Sequence, residues 1–117
     1  MGYYTRYNLE IKLVKNNNLI DLDTTEAYKT IEDLRNNCTS AAYALDDCGL
    51  NSEPVKWYES TKNLKTFSKN YPSYLFILSG EGEEAGDLWK VYFINGKHQI
   101  AQAIITYPEF DINKLEV

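Results

Sequence analysis

Leu88-Trp89-Lys90-Val91-Tyr92-Phe93-Ile94-Asn95-Gly96-Lys97-His98-Gln99-Ile100-Ala101 decides how the chain folds. Two alternating runs flank Asn-Gly, the dipeptide that best tolerates two successive positive φ angles and so favours a two-residue type I′ turn. That turn fixes the register: Ile94 opposes Lys97, Phe93 opposes His98, and Tyr92 opposes Gln99. Trp89, Val91, Phe93, His98, Ile100 and Ile104 then share one face, read as core, while Leu88, Lys90, Tyr92, Lys97, Gln99 and Ala101 share the other.

Working outward, Tyr74-Leu75-Phe76-Ile77-Leu78 is a continuous apolar run, the pattern of a central strand covered on both faces. The loop Gly80–Asp87 joins it to the hairpin. Upstream, Ser60 or Thr61 is positioned to cap a helix with Leu64, Phe67 and Tyr71 on its apolar side, ended by Pro72. Its outer side carries Lys62, Lys65 and Lys69. At the start of the chain, Tyr3, Thr5, Tyr7, Leu9, Ile11 and Leu13 alternate with Tyr4, Arg6, Asn8, Glu10 and Lys12, a half-buried strand. Asn16-Asn17-Asn18 reads as a polar turn.

Asp23 with Glu26 resembles a capping box opening a helix through Ala27, Ile31 and Leu34, stopped at Asn36-Asn37. Ala41–Leu45 is expected to be a short strand, with Asp46–Gly49 as its turn and Val55–Tyr58 as its hairpin partner. Pro108 releases a tail whose Phe110, Ile112 and Leu115 are available to cover a sheet edge or the core. The expected fold is therefore one α+β domain over residues 1–117. Two helices cover one face of an antiparallel sheet in the ferredoxin-like order β-α-β-β-α-β, extended by a C-terminal hairpin.

The 117 residues carry 12 Lys+Arg against 17 Asp+Glu, a net charge of −5. This balance disfavours DNA and anionic membrane as partners, since both select basic surfaces. No run of 18 apolar residues is present and the first residues lack an apolar leader, so a cytoplasmic protein is expected. Cys38 and Cys48 with the lone His98 are too few ligands for structural zinc, and a cytosolic chain would keep both cysteines as thiols.

The densest chemical feature is the acidic loop, with Glu81, Glu83, Glu84 and Asp87 among three glycines. Its spacing differs from an EF-hand, so no metal is assigned and no cofactor is expected. A loop of this kind suits steering toward a basic partner surface, with Trp57, Tyr58 and Tyr92 as aromatic anchors. A second reading places a small molecule or nucleotide on the open sheet face at Tyr4, Arg6, Lys90, Lys97 and Gln99. A metal-assisted hydrolase using Glu81 and Asp87 ranks third, and no catalytic residue is assigned. A homodimer is compatible with the pattern.

Gly2–Tyr7, Val55–Glu59, Ser68–Pro72 and above all Gly80–Lys97 (GEGEEAGDLWKVYFINGK) resemble a family of small bacteriophage and prophage proteins. The resemblance spans nearly the whole chain. It implies a single-domain protein acting in the bacterial cytoplasm during infection or lysogeny, and carries over no reaction. Small accessory proteins of that genomic class bind host factors, components of defence systems included, and a host or phage protein is the expected partner.

Overall fold

The computed structural model describes residues 3–51 and 53–117. The expected α+β class with an antiparallel sheet is present, in the chain order β1 (Thr5–Lys15), β2 (Asn18–Asp21), α1 (Thr24–Asn37), α2 (Thr39–Ala44), α3 (Ser60–Ser68), β3 (Tyr74–Gly82), β4 (Leu88–Ile94) and β5 (Lys97–Gln102). The five strands lie in the order β2-β1-β3-β4-β5, every pair antiparallel.

This order corrects the ferredoxin-like topology, and two local misreadings account for it. Residues 39–44 form helix α2 rather than a strand. Alanine loses no side-chain entropy in a helix, and Ala41 and Ala44 are small enough to be fully buried there, at 0% and 1% exposure. Val55, left without a partner strand, makes only a bridge to Thr5, through Thr5 N–H to Val55 O at 2.8 Å and Val55 N–H to Thr5 O at 2.9 Å. Conversely, Asn16 and Asn17 adopt φ of 53° and 63°, the two positive angles of a type I′ turn, so Asn18–Asp21 folds back on β1 as an unforeseen strand. Lys12 ion-pairs with Asp21 across that hairpin.

The Asn95-Gly96 turn adopts φ of 46° and 79°, and the register is the one read from sequence, with Phe93 opposite His98 and Tyr92 opposite Gln99. Asp23 caps α1, its side chain accepting from Thr25 N–H at 2.7 Å. Helix α3 stops at Ser68, three residues before Tyr71, and its N-cap Glu59 makes no side-chain cap bond.

The core lies on one face of the sheet. Tyr7, Leu9, Ile11, Phe76, Leu78, Val91 and Phe93 project toward Ile31, Leu34, Ala41, Ala44, Leu64 and Phe67 of the three helices. Strand β3 is central, as its apolar run implies, and Ile77 is buried even on the face without helices. The expected burial fails at β5. No helix reaches far enough to cover it, so His98 and Ile100, on the helix-bearing face, are exposed. The tail also fails to cover the body: Ile104, Tyr107, Phe110, Ile112 and Leu115 are all exposed.

Tyr71, just outside α3, stacks on Tyr74 with ring centroids 5.2 Å apart and donates its hydroxyl to Asp33 Oδ2 at 2.6 Å. The neighbouring carboxylate favours the neutral phenol, and partial burial adds to this, pushing Tyr71 up to about 12 from 10.0. A raised folded-state value stabilises the fold fully below pH 10 and loses that contribution as pH climbs from 10 toward 12. Near-ultraviolet titration should therefore show Tyr71 ionising at about 12, among the late-titrating tyrosines. Asp33→Asn should bring it back toward the ordinary range.

Candidate functional site

The sheet face away from the helices is built from the alternate residues of each strand. Arg6 pairs with Glu81 and then Leu88; Asn8 with Ser79 and then Lys90; Glu10 with Ile77, Tyr92 and Gln99. Strand β2 is too short to flank the N-terminal half of β1. The segment after α2 takes its place, with Leu9 N–H donating to Gly49 O at 2.8 Å. Asp46 shapes that segment, because its Oδ1 accepts from Cys48 N–H at 2.8 Å and Leu50 N–H at 3.0 Å. An aspartate bonding its own downstream backbone in this way holds a turn without help from other elements.

Between this turn and the β3–β4 hairpin runs a groove of about 550 Å³. Arg6, Asn8, Ser79 and Glu81 line its sheet side, Asp46, Leu50 and Asn51 the turn side, and Leu88 the hairpin end. Leu50 and Leu88 are half or more than a third exposed, at 50% and 39%. Asn51 Oδ1 accepts from Glu53 N–H at 2.6 Å, which orients the amide, while its buried Nδ2 meets no acceptor among the described residues. A buried amide donor without an acceptor is costly, by about 1–3 kcal/mol.

The acidic loop divides into two pairs. Glu83 Oε1 accepts from Tyr4 N–H at 3.0 Å, and Asp87 Oδ2 accepts from the Tyr3 hydroxyl at 2.5 Å. Tyr3 is itself tied to the loop by Glu84 N–H at 3.2 Å, and the Asp87 bond raises its hydroxyl above the usual range. Glu83 and Asp87 thus fasten the approach to β1. Glu81 and Glu84 form no ion pair among the described residues and project from an exposed surface.

The expected aromatic anchors do not converge. Trp57 is a core residue at 3% exposure, its ring edge-on to Tyr7 and its Nε1–H donating to Asn63 Oδ1 at 2.8 Å, which corrects its reading as a partner contact. Tyr58 is exposed, but on the helix-bearing side, where its hydroxyl accepts from Tyr3 N–H at 2.9 Å. Tyr92 does lie on the open face, half-buried between Ile77 and Gln99.

Of the residues read as an alternative ligand face, Arg6 lines the groove, while Lys90, Lys97 and Gln99 spread along β4 and β5. Tyr4 is occupied by Lys56, whose ammonium lies 5.0 Å from its ring centre. Asp46, Leu50 and Asn51 were hidden in the sequence. Their stretch signals a turn, and nothing local says that the turn is laid against a sheet edge.

Among the described residues, the carboxylates and thiols near enough to share a cation are Asp46, Asp47 and Cys48, all exposed. Asp46 already spends an oxygen on two backbone N–H groups, so this cluster reads as turn chemistry. No described helix is long and apolar enough to cross a membrane. Comparison with protein-family models, curated proteins and solved structures finds no match, so the chemistry of the groove itself carries the functional reading.

Proposed function

We propose that this chain is a non-catalytic protein-binding module, encoded by a phage or prophage and acting in the bacterial cytoplasm to modulate a host factor. A defence component is one such factor. The observation that carries the reading is the open-face groove, where two exposed leucines, Leu50 and Leu88, border a volume able to take a large side chain. Asp46 and Glu81 outnumber Arg6 along its lining. The matching partner presents an apolar side chain flanked by lysine or arginine. Charges at such a rim chiefly raise the association rate and reject acidic partners.

The same acids weigh against a nucleotide in this groove, since they would repel phosphate beside a single guanidinium.

Capture from a bacterial lysate on the immobilised chain tests the reading. Leu88→Ser and Glu81→Arg should each reduce a specifically retained protein by about tenfold, a loss of about 1.4 kcal/mol. Glu32→Ser, at an exposed site on α1, should leave it unchanged. Retention indifferent to both groove variants would refute the proposal.

A further inference from the structure

The segment after β5 is the most exposed apolar part of the described chain. Ile104, Ile105, Tyr107, Phe110, Ile112 and Leu115 are each at least half exposed within fifteen residues. Singly exposed apolar residues are ordinary, but a stripe of six marks a surface that something covers. Beyond Pro108 the stripe alternates with charge, as Glu109, Asp111 and Glu116 against Lys114.

A complementary groove lies on the helix-bearing side, between α3 and the start of β5. It encloses about 580 Å³ and is lined by Tyr58, Lys62, Lys65, Lys69 and His98, with Glu59 as its one carboxylate. The lysine stems and the Tyr58 ring give it apolar walls under a cationic rim, and the Lys69 stem is packed over Gly96. Exposed Ile100 extends it along β5. Here the helix layer ends at α3 and leaves the outer part of β5 uncovered.

We infer that the segment Ala103–Val117 is an exchange arm, docking in the lysine-lined groove of a second copy of this chain. Phe110 and Ile112 supply the apolar contact, while Glu109 and Asp111 meet Lys62, Lys65 and Lys69. The arm does not cover its own groove. Ala103 N–H donates to Leu88 O at 2.8 Å and Ile105 lies beside Gly86, both at the end of the β4–β5 hairpin opposite the Asn95-Gly96 turn. The groove sits at the turn end. Reciprocal exchange gives a closed two-fold dimer in which each arm and each groove is used once. A stable dimer buries roughly 1,200 Å² or more, and two docked arms double what one would supply. The inference uses a different surface from the leucine-lined groove and stands apart from the function proposed for it.

Sedimentation of the full chain tests it. A species of twice the chain mass is expected at about 100 µM, weakened by salt because its contacts include ion pairs. Phe110→Ser with Ile112→Ser should raise the dissociation constant at least about tenfold, a loss of about 1.4 kcal/mol. Lys62→Glu with Lys65→Glu should do the same, as should Glu109→Lys with Asp111→Lys. The chain carrying both charge reversals should recover the dimer. All these positions are exposed or half-exposed, so circular dichroism should show each variant folded. A monomer at every concentration overturns the inference, as does a dimer indifferent to the arm and groove variants.

Discussion

Phe76→Ala should cost about 3–5 kcal/mol, the range for deleting a fully buried phenylalanine side chain. Phe76 is 0% exposed at the centre of the sheet, paired with Ile11 on β1 and Phe93 on β4. Phe67 meets it edge-on from α3 at 5.7 Å between centroids, and Tyr71 does so at 6.3 Å. The lost volume cannot be refilled from either flank, because both strand neighbours are fixed by ladder register. Domains of this size are stable by only about 5–15 kcal/mol, so the change removes a large share. The melting temperature should fall on the order of 10–20 °C in a thermal scan followed by circular dichroism.

The second effect comes from adding atoms. A Cβ built on Gly80 would stand 2.1 Å from Cζ2 of Trp89, whose indole covers that backbone from the facing position on β4. Trp89 in turn meets Tyr7 edge-on at 6.0 Å, and Tyr7 meets Trp57 at 5.4 Å, so the glycine is the gap that closes an aromatic row. Gly80→Ala should destabilise by about 1–3 kcal/mol and red-shift tryptophan emission as the indole is displaced. Because one ring causes the clash, Trp89→Ala should relieve part of it. The double variant should therefore be less unstable than the two single losses added together.

These effects sit in the part of the molecule that sequence patterning described well. The β4–β5 register follows from Asn95-Gly96, and the buried face of β1 from its alternation, because both are set by chemistry within a few residues. The errors share a different cause. Ala41–Leu45 is a short apolar run compatible with either period, and only packing of Ala41 and Ala44 in the core selects the helix. Asn16-Asn17 carries the same turn signal as Asn95-Gly96, without the glycine that makes that signal easy to recognise.

The site was less legible than the fold. Alternation alone places Arg6 and Tyr92 on the open face, whereas Glu81, expected in the loop, belongs to β3 and reaches that face through its pairing with Arg6. Trp57 resembles a surface anchor until its indole is seen satisfied by Asn63 in the core. The Asp46–Asn51 wall of the groove exists because β2 is too short to flank all of β1, a property of the assembled sheet that no local spacing encodes.

Site-specific photo-crosslinking asks most directly whether the open-face groove binds a protein. A photoreactive residue at Leu88, on the groove rim, is compared with one at Glu32, on the surface of α1, in living bacterial cells. A discrete adduct to one protein from the Leu88 position, lost with Glu81→Arg and missing from the Glu32 position, is the outcome a binding groove requires. The same pattern from both positions, discrete or diffuse, or no adduct at Leu88, would contradict it.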